Sequence, residues 1–121
     1  MSVLLDSVIL IDHLNGVAPA TLYLRGLKSA FISVITRAEV LAGVDESAQG
    51  PVENLLSRYE TLAIDRETAD LAAALRRKHR WKLPDAFQAA LAQIHELKLA
   101  TRNTKDFPPT LGFVVVPYTL R

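Results

Sequence analysis

The feature that most limits what this chain can become is the regular alternation of short apolar runs with helix-length segments. Val3-Leu4-Leu5, Ala30-Phe31-Ile32, Thr61 to Ile64, Lys98-Leu99-Ala100 and Phe113 to Val116 each read as a brief buried strand. The segments between them carry helical start and stop signals. Val8 to Leu14 is closed by Asn15-Gly16, and Pro19 opens a second helix through Leu27. Ser33 is placed to N-cap a helix running to Ala42, just before Gly43. Pro51 begins a helical stretch to Tyr59, Asp65 or Arg66 opens a long helix to His79, and Pro84 sits in the first turn of another reaching Leu97. Asn103 to Pro109 is a loop. Strands separated by helices predict an α/β fold with a mostly parallel central sheet.

At 121 residues the chain fits one domain, 1–121, and half its residues are apolar, enough for a core without staples. It contains no cysteine, which excludes disulfides, a thiol nucleophile and thiolate-ligated metals and accords with a reducing cytoplasm. No apolar run approaches the ~18 residues of a membrane span, and the first residues lack a basic leader, so a cytoplasmic protein with no membrane partner is expected.

In parallel sheets ligands gather beyond the carboxyl ends of the strands, so polar residues just after apolar runs carry the search for a site. Asp6 directly follows the first strand and is equally suited to cap the helix after it. Glu39 falls at i+4 on the stripe Ile35, Ala38, Ala42. That spacing predicts a carboxylate on a buried face, which needs a partner such as Arg37 or Arg102, or a cation. Asp85 lies in the first turn of its helix, where the dipole favours an acid by about 0.3–1 kcal/mol. Asn103 and Asp106 follow the fourth strand, in a loop where Asn commonly forms an Asx turn. Each has a structural explanation when taken alone. Taken together, they converge on one crevice if the strands are parallel. Like charges held that close repel unless a cation neutralises them or some bind protons. An all-oxygen set suits Mg²⁺ or Mn²⁺ rather than zinc, and such ions serve phosphoryl chemistry.

The same residues carry a family resemblance. The stretches Leu4-Leu5-Asp6-Ser7-Val8-Ile9-Leu10-Ile11-Asp12, Ser33-Val34-Ile35-Thr36-Arg37-Ala38-Glu39-Val40-Leu41-Ala42-Gly43, Leu83-Pro84-Asp85-Ala86 and Thr101-Arg102-Asn103-Thr104-Lys105-Asp106-Phe107 resemble, in order, those of PIN-domain ribonucleases. The similarity is greatest to VapC-type toxins of toxin–antitoxin pairs. It implies a three-layer α/β/α domain and a metal-dependent endoribonuclease in which Asp6, Glu39 and Asp85 match the three core acids that bind metal and act in catalysis. The fourth position of the family falls 18 residues after Asp85, at Asn103, where many relatives have Asp. Asn keeps an oxygen ligand and loses a charge; Asp106 is the alternative source of that charge. Val8 stands where a polar residue is often found. The resemblance further implies Mg²⁺ or Mn²⁺ as cofactor and an RNA substrate cut to 5′-phosphate and 3′-hydroxyl ends. Its implied partners are a VapB-type antitoxin that occludes the site and a second copy in a homodimer.

Other readings are weaker. Asp12 is expected to be solvated or ion-paired, and His13, His79 and His95 have no ligand spacing. No serine has the His–Asp company of a triad. A phosphoaspartate phosphatase needs a second acid two residues after the first, and Val8 stands there. An inert PIN-fold module that binds RNA or protein is the alternative left by Asn103. Net charge is only +1, but Arg76-Arg77-Lys78-His79-Arg80-Trp81-Lys82 concentrates five of the 14 Lys and Arg residues around a tryptophan. That segment is either a solvated helix end or an RNA contact with Trp81 as its stacking face.

Overall fold

The structure, a computed structural model, describes residues 2–120. Five strands, β1 (Val3–Leu5), β2 (Ala30–Ser33), β3 (Glu60–Leu62), β4 (Lys98–Ala100) and β5 (Val114–Val115), form one sheet in the order β3-β2-β1-β4-β5. Every pairing is parallel. Six α-helices accompany them among the described residues: α1 (Ser7–Leu14), α2 (Ala18–Gly26), α3 (Val34–Ala42), α4 (Gln49–Leu56), α5 (Arg66–His79) and α6 (Leu83–Ile94).

Successive strand residues face opposite ways, and this sorts the core into two halves. Val3, Leu5, Ile32 and Ala100 pack with Ile9, Leu10, Val40, Val52 and Leu56 from α1, α3 and α4. Leu4, Leu99 and Val114 pack on the other face with Ala72 and Leu75 of α5 and the Ala89–Ala92 run of α6. The result is the three-layer α/β/α fold. The chain moves outward from β1 to β2 and β3, then returns to add β4 on the other side of β1. The carboxyl ends of β1 and β4 therefore flank the switch point, where a crevice is expected.

Several boundaries differ from the sequence expectations, each for a local reason. α6 stops at Ile94 rather than Leu97, because Glu96 takes a left-handed backbone with φ of 55°. The amide of Leu97 then bonds the Ala92 carbonyl at 2.8 Å and that of Glu96 bonds Gln93. This double closure usually recruits glycine, so Glu96 gave no signal. α4 starts at Gln49, ahead of Pro51, after a 3₁₀ turn at Glu46–Ala48. A proline in the first turn lacks only an amide that had no helical partner. A second 3₁₀ turn, Pro109–Leu111, leads into β5, which is shorter than expected.

Candidate active site

Local capping sets each site residue in place. Asp6 ends β1, where its amide bonds the Ala100 carbonyl at 2.9 Å, and its carboxylate caps α1 by accepting from the Ser7 amide at 2.9 Å. Ser33 ends β2 and caps α3 by accepting from the Thr36 amide at 3.0 Å. Pro84 and Asp85 lie in the first turn of α6, and the loop after β4 supplies Asn103 and Asp106.

Asp6, Glu39, Asp85 and Asn103 line a single crevice of about 420 Å³ together with Ser7, Val8, Arg102, Thr104 and Lys105. Asp106 is outside that lining, but its carboxylate accepts from the Asn103 amide at 3.1 Å and its charge acts on Asp85. The Asp85 carboxyl is pushed up to about 6, first by partial burial and then by the charges of Asp6, Asp106 and Glu39, with Lys82 opposing. Four acids from four different elements thus share one field. As the side chains stand, no three acids or histidines close around one point among the described residues. A larger cavity of about 550 Å³ at the amino ends of the strands is lined by Arg25, Lys28 and Arg58 and by no carboxylate. It cannot supply the same chemistry.

The environment of Glu39 differs from the stripe expected of α3. The inward residues are Thr36 and Val40, while Ala38, Glu39 and Ala42 are exposed. The helix turns this way because Thr36 Oγ1 donates to the Leu5 carbonyl at 3.3 Å, inside the layer. Glu39 therefore reaches the crevice from a solvated face without the burial cost that its spacing suggested. Nor does Arg102 pair with Glu39. It is committed to Asp12, whose Oδ1 accepts from Arg102 Nη2 at 2.8 Å and whose Oδ2 accepts from Tyr118 at 2.8 Å. Asp12 is only 4% exposed, so it is ion-paired but not solvated. Its carboxyl lies below the usual range chiefly because Arg102 donates to it. Tyr118 is held above its usual range, first by burial and then by that same carboxylate.

The sequence reasoning missed the residues that hold Asp6. Gln88, 1% exposed, accepts from Ser33 Oγ at 2.6 Å, donates to Thr36 Oγ1 at 2.8 Å and reaches Asp6 Oδ1 at 3.4 Å. Thr101 donates to Asp6 Oδ2 at 2.7 Å. No buried side-chain polar atom lacks a partner among the described residues. A fully satisfied network of this kind fixes a rotamer firmly. The available signal was a glutamine three residues after Asp85, in an otherwise alanine-rich helix face.

The basic segment is also reassigned in part. Trp81 is 6% exposed and belongs to the core beside Phe107, with centroids 5.0 Å apart, so it offers no stacking face. Its indole donates to the Asp106 carbonyl at 2.9 Å, tying the end of α5 to the acidic loop.

Comparison with known proteins agrees with this fold. The PIN domain family model matches residues 3–108, which include all five candidate residues. Ribonuclease VapC10 of Mycobacterium tuberculosis is 35% identical over 114 residues, covering 88% of this chain and 86% of the relative. Ribonuclease VapC19 of the same organism is 30% identical, covering 87% and 91%. A chain of a toxin–antitoxin complex from Klebsiella pneumoniae superposes with a TM-score of 0.91 at 38% identity, covering 98% of this chain and 99% of that one. With a family match spanning β1 to the loop after β4, and relatives aligned over most of both lengths, this chain belongs to the PIN domain family.

Proposed function

We propose that this chain is an endoribonuclease toxin of a toxin–antitoxin pair, acting as a single PIN domain with Asp6, Glu39 and Asp85 as its metal-binding acids. The observation that carries this is the convergence of Asp6, Glu39 and Asp85, from the end of β1, α3 and α6, on one crevice. Such a cluster of acids wants a cation, and within it the Asp85 carboxyl is raised, first by partial burial and then by the neighbouring charges. The donor set fits a hard divalent ion, since every ligand is oxygen and the crevice holds no sulfur or imidazole. Bound Mg²⁺ or Mn²⁺ supplies a more acidic water and charge stabilisation at an RNA phosphodiester.

The chain's own groups do the rest. Asp6, locked by Gln88, Thr101 and the Ser7 amide, gives a fixed oxygen donor whose remaining lone pairs face the crevice. Asp85 must be ionised to hold a cation, and a bound cation in turn favours that ionised form. Glu39 adds its carboxylate from the solvated side of the crevice. Asp106 supplies the fourth negative charge, and Asn103, which donates to it, sets its orientation. The ribonuclease names of the relatives and the complex containing the Klebsiella chain support RNA as substrate and an antitoxin as partner. A homodimer and a cytoplasmic location complete the proposal. No helix among the described residues is long and apolar enough to cross a membrane.

Expression in bacterial cells without a partner tests this reading. Growth should stop, Asp6→Asn should restore it at equal protein level, and a co-expressed cognate antitoxin should do the same. Equal growth with the native and Asp6→Asn chains would favour the inert binding module.

A further inference from the structure

The basic segment at the end of α5 is not explained by the fold alone. Arg80 ends the helix in a left-handed conformation, φ 60°, where glycine is the usual occupant. Arg76 donates to the Trp81 carbonyl at 2.7 Å and so serves the helix end. Arg80 and Lys105 have no carboxylate partner, since Arg102–Asp12 is the ion pair found among the described residues. These two cations line a groove of about 300 Å³ with His79, Asp106, Leu111 and the small exposed edge of Trp81. Lys105 also lines the acidic crevice, so the two depressions adjoin. The Asp106 carboxylate in this groove is turned to Asn103, and its carbonyl accepts from the Trp81 indole.

An acidic crevice repels the backbone of the RNA it cuts, so phosphates on either side of the cut need cations outside it. Aromatic surface also matters, because bases stack on any flat ring. Trp81 is covered, and what covers it is His79: the rings stack at 4.2 Å and 12°. His79 is half-buried, with one face stacked on the indole, and it lines the groove.

We propose that this groove is a subsite for the nucleotide flanking the cleaved bond, with Arg80 and Lys105 on its phosphate and the His79 ring beneath its base. The proposal rests on the ribonuclease reading above and names where that substrate lies. Arg80 and His79 are binding residues; neither takes part in the chemistry.

Binding of a short fluorescein-labelled single-stranded RNA to the full chain, followed by anisotropy in chelator, tests it. Arg80→Asn is the useful variant because asparagine tolerates a left-handed backbone, and Arg80→Lys is the rescue. Loss of one phosphate contact should lower the slope of log affinity against log salt by about 0.7. His79→Ala should weaken binding about tenfold, as loss of a stacking platform does, and His79→Phe should retain it. With metal present, Arg80→Asn should raise KM for RNA and leave kcat unchanged. Native affinity and native salt slope in both Arg80→Asn and His79→Ala would overturn the subsite, as would a preference of the groove for a glutamate-rich peptide over RNA. A native chain that binds RNA through these residues but cuts none keeps the subsite and removes the ribonuclease. A chain that cuts RNA with the same KM in Arg80→Asn does the reverse.

Discussion

Replacing Asp85 by Asn should make the metal-free protein more stable while disabling it. The amide keeps the size of the side chain and removes one of four acid charges in and beside the crevice. The Asp85 carboxyl rises from 3.8 to about 6 in the fold, mainly through partial burial and then through Asp6, Asp106 and Glu39. At about 1.4 kcal/mol for each tenfold change in proton affinity, that rise bounds the cost of ionisation near 3 kcal/mol. Asp85 is only half-buried, and solvent screening reduces the figure to about 1 kcal/mol. Between the unfolded value of 3.8 and about 6, the folded chain holds a proton that the unfolded chain has released. Stability therefore falls as pH rises through that window, and the cost is complete above it. The gain from Asp85→Asn should thus be near zero at the acid end and about 1 kcal/mol at neutral pH, or roughly 3–5 °C in melting temperature. Urea denaturation in chelator across this range measures it. Adding Mg²⁺ should then stabilise the native chain, by about 1.4 kcal/mol at tenfold excess over its Kd, and leave the variant unchanged. A variant less stable than the native chain at neutral pH, or a gain independent of pH, would refute the cost of ionising Asp85 on which this rests.

Gln88→Leu should cost about 2–4 kcal/mol, because Ser33 and Thr36 lose a buried partner, and urea midpoints will read it. Arg102→Ala should cost about 2–3 kcal/mol at neutral pH by leaving Asp12 buried without its cation. Because the Asp12 carboxyl is held low in the fold, that loss should shrink as pH falls through its folded value, visible as converging acid denaturation curves. Asp106→Asn should raise the Mg²⁺ concentration needed for half-maximal cleavage. Asn103→Asp adds a charge beside the one Asp106 supplies, so it should leave that concentration unchanged or raise it; a lower requirement in parallel metal titrations would make position 103 itself the ligand.

The layer order and the positions of Asp6, Asp85 and the 103–106 loop were readable because they follow from patterns of two kinds. Apolar runs mark buried parallel strands, and acids beside Pro84 or at the end of Leu4-Leu5 mark helix starts. What was not readable depends on long-range partners. The rotation of α3 is set by Thr36 reaching the Leu5 carbonyl, so a stripe drawn through Ile35, Ala38 and Ala42 chose the wrong face. Trp81 lies among charged neighbours in sequence yet packs on Phe107, which is 26 positions away. Gln88 gains its meaning only when Ser33 and Thr36 come to meet it.

Cleavage of a doubly labelled single-stranded RNA by the purified chain, titrated with Mg²⁺ or Mn²⁺ beside Asp6→Asn, addresses the acid cluster most directly. The native chain should cut the RNA in a saturable, chelator-sensitive manner and leave 5′-phosphate ends. Asp6→Asn, folded by circular dichroism, should cut at background rate at every metal concentration. Equal cleavage by both chains, or cleavage that persists in chelator, would contradict the assignment of these carboxylates as a metal-dependent active site.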